Sequence, residues 1–147
     1  GKDVREKQII KGIGGIKKYG VRTIRLAEFA GKSGFKTECL SYNRKLASGE
    51  AKIKQPSKKD ILKFLKKGIP VIIAVRSFLL YGEKQSEMGH FIVVTGHKSG
   101  VFSYNDPHDG KRHKIAEEGL LFAWFNNVID SSAYLLAVWP VKNKKSA

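Results

Sequence analysis

The order of apolar patterns along the chain predicts an α+β fold, with N-terminal helices packed on an antiparallel sheet. Three observations carry this. The residues up to Gly34 show helical spacing, with apolar positions three and four apart. From Ile69 onward the apolar runs are mostly short, strand-like and separated by tight turns. Long helices do not alternate with these runs, as they would in a parallel sheet built from crossovers.

Asp3 followed by Glu6 forms a capping-box pattern that opens a short helix through Ile9, Ile10 and Ile13. Gly12, Gly14 and Gly15 end it. Thr23 starts a second helix with Ile24, Ala27 and Ala30 on one face, stopped at Gly34. Phe35 to Tyr42 reads as a strand holding Cys39, and Arg44 to Gln55 as an exposed loop. Ser57 and Asp60 cap a third helix carrying Ile61, Leu62 and Leu65, ended by Gly68.

Ile69 to Val75 then reads as a buried strand, and Ser77 to Gly89 as a loop with a polar insert at Glu83 to Glu87. Phe91 to Thr95 and Val101 to Tyr104 are expected to pair across a turn at Lys98-Ser99-Gly100. Asn105 to Lys111 has the Asp-Pro and Asp-Gly chemistry of a turn. Ile115 to Phe125 reads as a helix, with Glu117 and Glu118 favouring the positive end of its dipole. Tyr134 to Trp139 is the last strand, ended by Pro140. These elements form one domain over residues 1–141, followed by a basic tail at 142–147.

With 147 residues and 41% hydrophobic composition, the chain is long enough for one ordinary core. No apolar run reaches the ~18 residues of a membrane span. A single cysteine, Cys39, excludes an intramolecular disulfide and a cysteine-rich zinc site. It also suits a reducing, cytoplasmic setting. The net charge of +15 raises nucleic acid or an acidic partner as a binding target. The lysines are spread along the chain without interleaved aromatics, so nucleic acid is not the favoured partner.

Chemistry concentrates in Gly89-His90-Phe91 and Tyr104-Asn105-Asp106-Pro107. His90 opens one strand and Asp106 closes the next. Hairpin geometry places the start of one strand beside the end of its neighbour, so imidazole and carboxylate can meet. A histidine takes and returns protons near neutral pH, and a carboxylate on its other nitrogen fixes the tautomer. The bland alternative is a structural histidine beside a common Asp-Pro turn. His97, His108, His113 and Asp109 complete a loose group whose spacing matches no metal-ligand pattern. No metal or cofactor is assigned. Gly12 to Gly15 follows no strand and lacks the lysine of a phosphate loop.

Taken together, Gly-Ile-Pro-Val at residues 68–71, His90-Phe91 with its apolar run to Gly96, Asp106-Pro107, Gly110 and Trp124 resemble the peptidase C39-like family. That family is a branch of the papain-like cysteine peptidases. The resemblance covers about 120 residues and implies a papain-like cysteine peptidase fold. It also implies His90 as general base, Asp106 as its orienting partner, and a peptide or protein substrate. Double-glycine leaders of exported peptides belong to the family's substrate range, although no residue here selects them.

The departure lies at the nucleophile. The family begins with a Gln and then Cys-Gly at a helix start, where the dipole lowers the thiol pKa. No Cys precedes Cys39, and Cys39 sits in an expected strand, where a lone cysteine is usually a small buried hydrophobe. The expectation is that Asp3 to Gly20 matches the family's second helix, with the nucleophile helix upstream of Gly1 or lost. Three functions follow. One is a cysteine peptidase whose Cys is not in this chain. The second is an inactive domain that still binds peptides. The third is a basic module for nucleic acid or an acidic partner.

Overall fold

The computed structural model describes residues 4–18, 20–41, 51–85, 89–126 and 134–141. In chain order, the elements are α1 (Glu6–Gly12), α2 (Thr23–Lys32), β1 (Phe35–Ser41), β2 (Ala51–Ile53), α3 (Lys58–Leu65) and β3 (Val71–Val75). Then come α4 (Ser77–Tyr81), β4 (His90–Lys98), β5 (Val101–Asp106), β6 (Lys111–Ala116), α5 (Glu117–Phe125) and β7 (Leu135–Pro140). The strands form one sheet in the order β2-β1-β7-β3-β4-β5-β6. Every pairing is antiparallel except β1 with β2 at one edge. The sheet is therefore mixed, and antiparallel through its middle.

Alternation along the strands sorts the side chains onto two faces. Leu40, Val71, Ile73, Val75, Ile92, Val94, Phe102, Tyr104, Leu135 and Ala137 pack with Ile61 and Phe64 of α3 and with Leu120, Ala123 and Trp124 of α5. The other face packs Cys39, Ala74 and Leu136 with Ile24 and Ala27 of α2. Trp124 is fully buried, and its Nε1–H donates to the Tyr134 carbonyl at 3.1 Å. One side chain thus fills the core and pins the start of the last strand.

Local chemistry explains the boundaries. Ser57 caps α3, its backbone N–H and its Oγ both donating to Asp60 Oδ2 at 2.8 Å. Strand β3 starts at Val71 because Pro70 has no N–H to give to a ladder. The β4–β5 turn places Ser99 at φ 50° and Gly100 at φ 74°. Both central residues are left-handed, as a two-residue turn matched to the strand twist requires.

Three segments differ from the sequence expectation. Part of the expected loop after Arg44 forms the three-residue β2. The segment after Arg76 forms α4, whose first residues are tied to α5 by Arg76 N–H donating to the Ala123 carbonyl at 3.2 Å. Lys111 to Ala116 forms β6, so α5 starts at Glu117 rather than Ile115. β6 is an edge strand whose pattern is mostly polar, which hides it from an apolar-alternation reading. Asp3, Tyr42, residues 44–50 of the expected loop, part of the Glu83 to Glu87 insert and the 142–147 tail lie outside the described residues.

Candidate active site

Two adjacent strands bring the candidate residues together. Val93 lies opposite Asn105, and Val94 opposite Tyr104. One step further along the ladder, Asp106 meets Ile92, so His90 lies diagonally across from it. Even-numbered positions from His90 to Val94 share a face with Phe102, Tyr104 and Asp106, the face that carries α3 and α5. The side chains meet there. His90 Nε2 lies 2.8 Å from Asp106 Oδ1 and 2.9 Å from Oδ2.

The chemistry of that contact fixes the tautomer. A carboxylate only accepts, so neutral His90 carries its proton on Nε2. Nδ1 then holds the lone pair, and it takes no hydrogen bond among the described residues. The imidazole is 21% exposed while Asp106 is 2% exposed. A reactant can therefore reach the ring, while water has little access to the carboxylate.

Asp106 is held from three sides. The His108 backbone N–H donates to Oδ1 at 2.7 Å. The Tyr81 hydroxyl donates to Oδ2, and the Tyr104 hydroxyl donates in turn to the Tyr81 oxygen at 3.1 Å. Burial works to raise the Asp106 pKa. The donors from Tyr81, His108 and His90 outweigh it and hold the carboxyl below its usual range. Burial, together with the adjacent carboxylate, pushes the Tyr81 phenol well above its ordinary value. Gly82, at φ 66°, ends α4 in a left-handed cap directly after Tyr81.

The rest of the loose His/Asp group separates into distinct pairs. His113 stacks on Tyr104 at 5.2 Å, and its Nε2 lies 2.9 Å from Asp109 Oδ2. His108 meets the His90 ring edge-on at 6.5 Å. His97 lies at the far end of β4, within 2.9 Å of Glu117 Oε2, and Lys58 Nζ donates to Glu117 Oε1 at 2.6 Å. A register shift between Val94 and Gly96 turns His97 onto the same face as Phe102. Glu117 therefore does more than complement a helix dipole.

Cys39 is not part of this arrangement. It is 1% exposed, in β1, on the face covered by α2. Its cross-strand row runs through Leu136 and Ile72 to Val93, so it lies three strand spacings, about 14 Å, from β4. Burial pushes its thiol up to about 12. A thiol so placed is neither ionised nor within reach of His90.

A small group of cations lies elsewhere. Lys98, Arg112 and Lys114 line a shallow depression of about 530 Å³ with Ser99, Val101 and Ser103, beside the β4–β5 turn. None of these three cations has a carboxylate partner among the described residues. No helix among those residues is long and apolar enough to cross a membrane.

The sequence placed His90 beside Asp106, as the structure does, and gave no sign of Tyr81 next to them. Tyr81 falls in a five-residue helix between Leu80 and Gly82, too short to leave a periodic signal.

Comparison with known proteins agrees with this architecture. Residues 22–129 match the family model described as the Peptidase_C39 like family. The fold matches the crystal structure of the peptidase domain of Streptococcus ComA, a bi-functional ABC transporter involved in a quorum sensing pathway. That match has a TM-score of 0.63 at 15% identity and covers 96% of this chain and 82% of the other. No curated protein matches the chain. Helices on a seven-stranded mixed sheet, with this likeness, define an α+β papain-like peptidase-domain fold. The chain belongs to the peptidase C39-like family.

Proposed function

We propose that this chain supplies the general-base half of a cysteine peptidase, with His90 as base and Asp106 as its orienting partner. The observation that carries the proposal is the His90 ring itself. Its Nε2 meets both oxygens of a buried carboxylate, and its Nδ1 takes no hydrogen bond among the described residues, in a side chain that is 21% exposed. That arrangement suits proton transfer to and from a thiol.

The reaction would run through a cysteine that is not in this chain. Its thiol proton passes to Nδ1, and the thiolate attacks the scissile carbonyl. The imidazolium, stabilised by Asp106, then returns that proton to the departing amine as the C–N bond breaks. Water attacks the resulting thioester, giving its proton to Nδ1, and releases the acid and the thiol. The substrate class is peptide or protein.

The burial of Cys39 favours a second reading, in which the domain binds peptides without cutting them. The two are separated by incubating the natural full-length protein with extended, glycine-containing peptides. The test follows products by mass spectrometry and binding by calorimetry. Cleavage that disappears in His90→Ala supports the peptidase. Binding without products supports the second reading. Neither binding nor cleavage rejects both.

A further inference from the structure

The strongest unassigned feature is the chain of hydroxyls behind Asp106. Its members come from separate elements. Tyr81 ends α4, which packs against α5, and Tyr104 lies mid-strand in β5. Tyr104 donates to Tyr81, and Tyr81 donates to Asp106 Oδ2. The other carboxylate oxygen already accepts the His108 N–H. The carboxylate is thus gripped at each oxygen by a separate donor, in addition to His90.

We infer that Tyr81 is a positioning residue for the His90–Asp106 pair, setting the orientation and charge of the carboxylate that holds the imidazole. The inference rests on the reading of that pair as a general base. A lone buried carboxylate has rotational freedom about its terminal torsion. A hydroxyl on Oδ2 and an amide on Oδ1 remove it, so His90 Nε2 meets both oxygens at nearly equal distance.

The hydroxyl also draws negative charge from the carboxylate, and Tyr104 reinforces that pull because hydrogen bonds in series polarise one another. The consequence is a tuned base. With Tyr81 in place, Asp106 stabilises the imidazolium less than a bare carboxylate would. Among the described residues, the ionisable groups facing His90 and Asp106 are Tyr81 from α4, Tyr104 from β5, His108 and Asp109 from the following turn, and His113 from β6. His113 stacks on Tyr104 and is held by Asp109, so it buttresses the hydroxyl chain from outside.

The test is a titration of the His90 ring by nuclear magnetic resonance in the parent chain, Tyr81→Phe and Tyr104→Phe. Tyr81→Phe retains the ring that packs near His113 and removes only the donor. The His90 midpoint should rise by about 0.5 pH, because a carboxylate relieved of a donor holds the imidazolium more strongly. Tyr104→Phe should raise it by less, and the double variant should match Tyr81→Phe. A midpoint that stays within about 0.1 pH of the parent, or that falls, overturns the inference, since the sign follows from the lost donor. If Tyr81→Phe does not fold, Tyr104→Phe carries the same sign, and an unchanged or lowered midpoint there overturns the inference equally. The readout needs neither cleavage nor peptide binding, so it fails or succeeds separately from the proposed function.

Discussion

Replacing Asp106 with alanine should be among the most damaging changes available on the described surface of the site. The carboxylate is 2% exposed and accepts from Tyr81, from the His108 N–H at 2.7 Å and from His90 at 2.8 Å. Asp106→Ala leaves all three donors without an acceptor in a place water reaches poorly. Each donor left without its acceptor costs about 1–3 kcal/mol, and with two of the three partly exposed the total loss should be about 3–5 kcal/mol. Against a total stability of about 5–15 kcal/mol, that is a large fraction. With a urea slope of about 2 kcal/mol/M, the unfolding midpoint should fall by about 1.5–2.5 M. Acid should narrow the difference. The folded-state pKa of Asp106 lies below its ordinary value, so its contribution is complete above about pH 3.9, the unfolded carboxylate value. It is lost as pH falls through the lower folded value. The gap between parent and Asp106→Ala, measured by urea unfolding from pH 7 to pH 3, should therefore narrow only at the acid end. A midpoint drop worth less than about 1 kcal/mol at pH 7 would refute the reasoning, because one buried unsatisfied donor alone costs at least about that much.

Other expectations follow from the same structure. Cys39, with its thiol pushed up to about 12, should resist a thiol-reactive chromophore at pH 8 in the native chain and react fully in denaturant. Trp124→Ala empties a fully buried site and removes the donor to the Tyr134 carbonyl, so urea unfolding should show a loss of about 3–5 kcal/mol. At Gly12, an added Cβ would lie 2.1 Å from the Phe29 ring. Gly12→Ala should consequently loosen α1 from α2 and destabilise by about 1–3 kcal/mol, read as a lowered melting temperature.

The legible parts of the fold were those with strong local chemistry. Ser57 with Asp60 marked α3, Ser99-Gly100 marked the β4–β5 turn, and the apolar run after Pro70 marked β3. The meeting of His90 and Asp106 was legible because hairpin topology alone brings a strand start to its neighbour's end. Tyr81 was not legible. Its role depends on α4 docking onto α5, a tertiary contact that no local pattern encodes. β6 was hidden because only His113 and Ile115 point to the core side, and one of them is polar. The parallel β1–β2 edge was also out of reach, since three residues carry no register signal. Glu117 was read as a dipole partner because sequence alone does not place Lys58 and His97 beside it.

The most direct test of the account is labelling of the natural full-length protein with a thiol-directed peptide probe, with the site located by mass spectrometry and the rate compared in His90→Ala. The account predicts one labelled cysteine outside this chain, with labelling that depends on His90. Label on Cys39, or labelling at an unchanged rate in His90→Ala, would contradict the assignment of the His90–Asp106 pair as the base that activates the thiol.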